Sequence, residues 1–323
     1  MDFEAVLHSQ FPTPLPPPTN IDEASRCTIH VDVLALFFCR IRYTYTTHSS
    51  TIAHTILESS ILSFGITKDS ILYVDGPSPI EKQATTAARE QRRTIALQHA
   101  ETSIADLERR VQDQCKARKR QFRALDKHIR AAFYWPLDVR EDFARYMRTR
   151  GWSVIVCSSE ADIAIAEACQ PNDVVVSSDS DMLAYDTIKT IWRPISRGRF
   201  LVYDVERVLQ CLDLTRAHFT VLCIVSKNDY TSNLTSLGVH TNLKIVKDLE
   251  QDGNYLAHDK VSSKNPGGGH FDAALRIFVY RKPNHQSPPA APLQEATKEP
   301  SSYADIAMRL KRLREQLDRS KGE

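Results

Sequence analysis

The chain has 323 residues, of which 42% are apolar and 25% charged, and its formal net charge is +2. This apolar content excludes wholesale disorder, and the apolar runs are too short for a transmembrane helix. Seven cysteines without a Cys-x-x-Cys pair exclude a disulfide scaffold and a cysteine-rich zinc module. Together with an N-terminus that lacks a signal-peptide pattern, they predict an intracellular protein of one large or two ordinary domains, with no membrane partner.

The predicted elements alternate between strands and helices after a proline-rich segment at residues 1–26. Four short apolar runs have the composition of buried strands: 28–31, 71–74, 152–157 and 173–177. Helical spacing predicts helices from residue 34 onward and at 51–64, 140–150 and 161–169. This alternation predicts an α/β fold, with a mostly parallel twisted sheet and helices on both faces.

The C-terminal part of the chain is predicted to contain two further helices. Residues 271–280 have the pattern of a last core helix, and residues 281–323 combine a linker with a helix at 302–319. That helix carries a narrow apolar stripe, formed by Ile306, Leu310, Leu313 and Leu317. The stripe either docks on the protein's own core or serves self-association or a protein partner. The tail lacks the paired aromatic residues of a sliding-clamp motif.

The charge is unevenly distributed along the chain. Residues 82–150 carry 17 Lys and Arg against 9 Asp and Glu, so this basic helical segment has a balance of +8 and the rest of the chain −6. A basic segment on an otherwise acidic protein indicates a polyanionic partner. The alternative is an ordinary solvated helix surface.

Six acidic residues follow the ends of the four predicted strands: Asp32, Asp75, Glu160, Asp162, Asp179 and Asp181. The carboxyl ends of parallel strands converge, and so many carboxylates require a hard divalent cation such as Mg²⁺. A single Asp in such a position is more often a turn former or helix cap, and Ser159 with Asp162 has the pattern of a capping box. Glu160 and Asp162 can share a metal only if a helix is just starting there, whereas an extended backbone at 179–181 would point both of its acids the same way.

Five motifs in order resemble those of the flap endonucleases and related XPG-type structure-specific nucleases, in the PIN-like superfamily. They are Val-Asp at 31–32, Val-Asp-Gly-Pro-Ser-Pro at 74–79, Ser-Glu-Ala-Asp at 159–162, Ser-Asp-Ser-Asp-Met-Leu-Ala-Tyr at 178–185 and Asn-Asp-Tyr at 228–230. The resemblance covers a nuclease core at residues 27–280. It implies hydrolysis of DNA near a 5′ end, flap or junction by two Mg²⁺ ions, with Mn²⁺ as a substitute and RNA as a second possible substrate. It adds Asp229 as a seventh metal ligand and assigns catalytic roles to Lys82 and Arg89.

The same resemblance implies the nucleic-acid contacts. Residues 82–150 correspond to a helical arch or cap, and Phe38 to an aromatic residue that stacks on a base. Basic residues would steer or bind phosphates: Lys82, Arg89, Arg92, Arg93, Lys116, Arg118, Lys119, Arg120 and Arg123. Residues 226–256 correspond to a helical hairpin that binds duplex backbone, where Gly238 would lie and where the family holds a K⁺ ion.

The chain also departs from the family pattern. Asp162 stands where a Glu is usual, Lys227 where a small residue is usual, and the hairpin turn has one glycine rather than two. The N-terminal opening of the family, Met-Gly, is replaced by Met-Asp-Phe and the proline-rich segment. These departures leave a second hypothesis, a catalytically weak or inactive PIN-like scaffold that binds nucleic acid or protein. Residues 116–120 could also serve as a nuclear signal, and a nuclear location is favoured over a cytoplasmic one.

Overall fold

The structure is a computed structural model, and it describes residues 27–115, 118–196, 199–249, 254–281 and 303–319. The predicted proline-rich segment, most of the predicted linker and Lys116 lie outside these residues. Within the described part, no single helix has the length and apolar composition of a membrane span. The pair formed by residues 205–212 and 216–225 passes that test only jointly, with a bend of 86° between its helices.

A six-stranded sheet forms the framework. Its strands are β1 (Ile29–Asp32), β2 (Ile71–Val74), β3 (Ser153–Val156), β4 (Val174–Val176), β5 (Thr190–Ser196) and β6 (Arg199–Asp204). The order is β3-β2-β1-β4-β5-β6, with β6 antiparallel to β5 and every other pair parallel. The four predicted strands are therefore confirmed within one or two residues, and so is the mostly parallel α/β fold. Sequence analysis missed β5 and β6.

Twelve α-helices lie within the described residues. They are α1 (Val33–Thr47), α2 (Ser50–Ser63), α3 (Gln83–Gln112), α4 (Lys119–Ala132), α5 (Leu137–Thr149), α6 (Ala161–Ala168), α7 (Val205–Leu212), α8 (Arg216–Val225), α9 (Val239–Lys247), α10 (Asp259–Ser262), α11 (Asp272–Phe278) and α12 (Tyr303–Arg319). The basic helical segment comprises α3, α4 and α5. Helix α5 is followed by Gly151 at φ +86°, the left-handed conformation predicted for a glycine just past a helix end.

The described residues form two compact units. The first contains residues 27–37, 58–85, 140–249 and 254–281, apart from the undescribed pair 197–198. Its central strands are almost wholly apolar because the sheet is covered: Val31, Leu72 and Val175 are completely buried. Helix α6 packs against β1 and β2. This packing fixes the ends of the strands, where the predicted acidic residues lie.

The second unit contains residues 38–57, 86–115, 118–139 and 303–319. Its core is a cluster in which Ile104 and Leu107 of α3, Leu125 of α4, and Ile306 and Leu310 of α12 are buried together. The apolar stripe of the C-terminal helix therefore docks on α3 and α4 of its own chain, which was one of the two predicted alternatives.

Candidate metal and nucleic-acid site

All seven predicted acidic ligands lie in the first unit, at or just beyond the ends of its elements. Asp32 is the last residue of β1, and Asp75 directly follows β2. Glu160 is the N-cap of α6 and Asp162 lies in its first turn. Asp179 caps a 3₁₀ turn, Ser180–Ala184, that contains Asp181, and Asp229 follows α8. Because β1, β2, β3 and β4 are parallel, their carboxyl ends lie at one edge of the sheet.

A chain of hydrogen bonds and ion pairs links five of these acids. The Lys82 Nζ contacts both Glu160 and Asp229, the latter at 2.8 Å. The Asp229 N–H donates to Asp181 (3.3 Å), and the Asp181 N–H donates to Asp179 Oδ1 (2.9 Å).

The hydroxyl of Ser177 continues this chain. It accepts from the Asp179 N–H at 3.0 Å and donates to Asp32 Oδ2 at 3.2 Å. The contacts thus run from Glu160 to Asp32 without a break. They bring together residues that are distant in sequence.

Asp75 is held by the loop that follows it. Its Oδ1 accepts from the Ala161 N–H at 2.8 Å, and the buried Arg140 donates to the carbonyl oxygens of Asp75 and Gly76 at 3.0 and 3.1 Å. The Gly76 N–H donates to the Ser159 carbonyl at 2.7 Å. A Cβ at Gly76 would clash with the Cys157 carbonyl oxygen, so only glycine permits this close approach of the two loops.

The alternative interpretation of Asp162 as part of a capping box is wrong. The N-cap of α6 is Glu160, with no side-chain cap, and the Ser159 Oγ is buried without a hydrogen bond to the described residues. Asp162 Oδ2 instead accepts from the Tyr185 hydroxyl at 2.8 Å. Because α6 begins at Ala161, the helix is just starting at this point, which is the condition under which Glu160 and Asp162 can share a metal.

The expectation of extended backbone through 179–181 is also corrected. Asp179 is extended, at φ −86° and ψ 124°, but the chain then turns into the 3₁₀ segment. The hydrogen bond from the Asp181 N–H to the Asp179 carboxylate explains this turn, since Asp readily satisfies backbone groups two residues ahead. The two carboxylates remain neighbours: after burial, repulsion from Asp179 is the next largest cause of the raised pKa of Asp181.

The electrostatics of the site are those of crowded, poorly solvated carboxylates. Burial, followed by repulsion from Glu160, raises the pKa of Asp75 to about 6 and that of Asp162 to about 7. Burial and repulsion from Asp75 raise the pKa of Asp32 well above its ordinary value. Burial likewise raises the pKa values of Asp179 and Asp181. The protein groups present therefore do not neutralise this cluster, and bound cations would.

Lys82 is the main positive charge among these acids. It is 8% exposed and lies over the Tyr230 ring, 5.5 Å from its centroid. Burial opposes its charge, but Glu160 and Asp229 outweigh this and raise the pKa of its ammonium group. The Thr85 hydroxyl donates to the Asp229 carbonyl at 2.7 Å, which ties the start of α3 to the same loop. Lys82 is thus a fixed cation within the acidic cluster.

The other predicted basic residues lie in the second unit. Arg89, Arg92 and Arg93 are on α3, with Arg93 4.9 Å from the centroid of the Tyr134 ring. The remaining described residues of the set are exposed at the start of α4 or on it: Arg118, Lys119, Arg120 and Arg123.

Phe38 and Gly238 occupy different settings. Phe38, on α1, is 40% exposed and lies 6.1 Å from Phe133, ring centroid to centroid, with Arg42 over its ring. Gly238 is the N-cap of α9 in the first unit, and a Cβ there would meet nothing within 4 Å. The predicted hairpin turn places Ser236, not a glycine, at φ +66°.

Sequence analysis assigned no role to three residues that position the acids: Ser177, Tyr185 and Arg140. Tyr185 lies within the motif at 178–185, so its motif was the only available signal. Ser177 ends a run of valines and Arg140 lies in an amphipathic helix, and neither pattern indicates a partner 145 or 65 residues away.

A second cluster lies near the amino ends of β1 and β4 rather than beyond the carboxyl ends of the strands. Ligand atoms of His30, Cys169 and Asp173 are all within 4.8 Å of one another and buried. The His30 ring contacts Tyr73 at 2.9 Å and Asp173 at 3.1 Å. Burial raises the pKa of Asp173, but hydrogen bonds from Gln170, Thr28 and His30 lower it by more than burial raises it. The net change is a decrease. Because these hydrogen bonds satisfy the polar groups, we interpret this cluster as structural.

The seven acids, by contrast, fit a hard divalent cation. Their ligand atoms are all carboxylate oxygens, which Mg²⁺ and Mn²⁺ prefer, and burial with mutual repulsion raises the pKa values of several of them, which a bound cation would oppose. Most of the carboxylates are half-buried, so solvent reaches them. A zinc site would favour His or Cys ligands, which this group lacks.

Comparisons with known proteins find similar sequences and folds. The XPG I-region family model matches residues 151–229, which include five of the seven acids. Flap endonuclease 1-B of Physcomitrium patens is 29% identical over 213 residues, which is 63% of this chain and 57% of that protein. Exonuclease 1 of Danio rerio is 27% identical over 68% of this chain and 27% of that protein. The chain thus covers only part of the length of these curated relatives.

Solved structures with the same fold include two DNA complexes. The catalytic core of Rad2 in complex with DNA substrate matches with a TM-score of 0.55 and 15% identity, over 98% of this chain and 94% of that one. Human GEN1 in complex with Holliday junction DNA matches with a TM-score of 0.53 and 13% identity, over 96% of this chain and 77% of that one. At these identities the likeness supports the fold.

Proposed function

We propose that the chain is a structure-specific nuclease that hydrolyses phosphodiester bonds of DNA, because it is similar to XPG-type flap endonucleases. The observation that carries this proposal is the set of seven acids that the first unit brings to one edge of its sheet. A purely structural role would have to explain why several of them have raised pKa values with few compensating cations nearby. Catalytic and metal sites commonly have this property.

The acids would hold two divalent ions, Mg²⁺ or Mn²⁺, through Asp32, Asp75, Glu160, Asp162, Asp179, Asp181 and Asp229. Two ions are proposed because Mg²⁺ keeps several of its waters and usually takes one or two carboxylates. When bound, such ions activate a water molecule and stabilise the leaving oxygen of a phosphodiester. No residue is needed as a covalent nucleophile.

The chain's own residues orient this set. Ser177 holds the Asp32 carboxylate with its hydroxyl, and Tyr185 holds that of Asp162. Arg140 fixes the backbone after β2 and so the position of Asp75. Lys82 keeps Glu160 and Asp229 together and supplies positive charge at a place where a substrate phosphate would arrive.

The finer features follow from the family and the charge distribution. We propose that cleavage occurs near a 5′ end, flap or junction, that residues 27–280 form the nuclease core, and that residues 82–150 bind single-stranded nucleic acid. Arg89 would contact the scissile phosphate and Phe38 a base. The exposed cations of α4 would bind phosphates without sequence preference. RNA cleavage and a K⁺ ion near Gly238 are further proposals.

The test is a cleavage assay on end-labelled 5′-flap, nicked and single-stranded DNA, with Mg²⁺ or Mn²⁺ and with a chelator. The variant is Asp179→Asn/Asp181→Asn, which keeps side-chain size and removes two charges. The matched control is Asp213→Asn, which removes an exposed carboxylate after α7 at φ +52°, a conformation that Asn tolerates. We expect metal-dependent cutting that the double variant loses and the control retains.

Two outcomes would contradict the proposal. Full activity of the double variant would show that the acids assigned here are not the metal site. Binding of all substrates without cleavage, by folded protein at any metal concentration, would favour the non-catalytic scaffold.

A further inference from the structure

The C-terminal helix α12 is an integral part of the second unit. Ile306, Leu310 and Leu313 are 0%, 3% and 5% exposed and pack against α3 and α4. Burial of three such side chains stabilises this docking through the hydrophobic effect. The helix is therefore fixed beside the basic helix α4.

Helix α12 also neutralises the acidic residues of its neighbours. Arg309 pairs with Glu101 and Glu108 of α3, at 2.7 and 2.6 Å, and Arg314 pairs with Asp126 of α4 at 2.6 Å. Asp126 is the only acidic residue of α4, which has a net charge of +4. Through Arg314, α12 compensates the one negative charge on this helix.

The geometry places further cations around that ion pair. Arg123 and Arg130 lie three residues before and four after Asp126, so they share its face of α4. On α12, Lys311 lies three residues before Arg314 and shares its side of the helix. All three residues, Arg123, Arg130 and Lys311, are exposed. We call the surface formed by Arg123, Arg130, Lys311 and the Arg314–Asp126 pair the α4–α12 strip.

We propose that the α4–α12 strip binds the phosphate backbone of a nucleic-acid strand, with Lys311 of α12 as a phosphate contact. The proposal rests on the proposed function and extends its binding surface to a helix outside the nuclease core. The charge of the strip favours a polyanion, because two helices with net charges of +4 and +2 meet there. The one acid of α4, Asp126, is paired with Arg314. Exposed basic side chains suit a sequence-independent backbone contact.

The test measures binding of labelled single-stranded and flap DNA by fluorescence anisotropy, from 50 to 200 mM salt. It uses the full chain with Asp179→Asn/Asp181→Asn and a chelator, so that cleavage does not interfere. Lys311→Gln should lower the slope of log affinity against log salt by about 0.7 on single strands. Its loss of affinity should therefore be about 3-fold larger at 50 mM than at 200 mM salt.

Two further variants sharpen the result. Glu315→Gln removes an exposed acid one turn from Lys311 and should raise affinity at low salt. Arg207→Gln, on α7 in the first unit, makes the same charge change as Lys311→Gln on another exposed surface and should leave both affinity and slope unchanged. Because all three substituted residues are exposed, each variant should remain folded. Circular dichroism and thermal unfolding check this.

The proposal is overturned if Lys311→Gln leaves both the affinity and the salt slope unchanged. It is also overturned if Lys311→Gln and Arg207→Gln weaken binding equally, because a general charge effect would then account for the result. An α4–α12 strip that serves an acidic protein instead would give the first of these outcomes. Failure here is distinct from failure of the proposed function, which is judged by metal-dependent cleavage in a chain with its acids intact.

Discussion

Asp162 should destabilise the metal-free protein, and its replacement by Asn should stabilise it. Burial and Glu160 raise its pKa from 3.8 to about 7, so ionisation at pH 8 opposes folding. An Asn at this position keeps an oxygen that can accept the hydrogen bond from the Tyr185 hydroxyl. The difference of about three pH units, at about 1.4 kcal/mol each, predicts that Asp162→Asn is about 4 kcal/mol more stable at pH 8 in a chelator.

The pH dependence gives the sign of the effect. Because the pKa of Asp162 is higher in the folded than in the unfolded protein, its stability contribution is present below pH 4 and is lost as the pH rises through about 7. The stability advantage of Asp162→Asn should therefore fall from about 4 kcal/mol at pH 8 to about 2 kcal/mol at pH 5. Urea unfolding at constant ionic strength measures both values.

Divalent metal should reverse this order. Saturating Mg²⁺ binds the folded state only and therefore stabilises it. The parent should gain more stability than the variant, which has one ligand oxygen fewer. The exposed Asp213→Asn control should show neither effect. The reasoning is refuted if Asp162→Asn is no more stable than the parent at pH 8 without metal, or if its advantage does not change between pH 8 and pH 5.

Three further predictions concern other parts of the structure. Gly76→Ala should destabilise the protein by roughly 1–3 kcal/mol in urea unfolding, since the new methyl group meets a backbone carbonyl; unchanged stability would contradict the close approach. Lys82→Met should cost about 3–5 kcal/mol without metal by leaving Glu160 and Asp229 unpaired, and added Mg²⁺ should reduce the deficit. Leu310→Ala should abolish hydrogen-exchange protection of α12 while the sheet keeps its own; equal loss in the sheet would refute the division into two units.

Four of the six strands were predicted from their local patterns, and β5, whose pattern is weakest, was not. The runs at 71–74 and 174–176 consist of residues that favour buried strands, and they are bounded by turn residues. Strand β5 contains Pro194 and an irregular register beside it, which weakens its local pattern. Strand β6 does contain an apolar run, 200–203, which sequence analysis did not assign to a strand. Strand β5 forms by pairing with β4 on one side and β6 on the other, which no local pattern records.

The candidate site divides in the same way. The position of an acid after a strand is local, so sequence placed six of the seven acids correctly relative to their elements. The turn at Asp181 and the identity of the α6 cap were mispredicted. Each depends on which of several competing hydrogen bonds forms in the folded chain. Asp179 offers its carboxylate to the Asp181 N–H, and Tyr185 takes the carboxylate that a capping box would have used.

The sequence by itself determined the α/β class, the acidic residues at the strand ends and the basic helical segment, because hydrophobic periodicity and charge are properties of neighbouring residues. Only the tertiary structure decided that Lys82 pairs with Glu160 and Asp229, that Ser177 joins Asp32 to the rest of the site, and that α12 docks beside α4. Each of these contacts joins residues more than 75 positions apart. Their energies depend on burial and mutual distance, which exist only once the chain has folded.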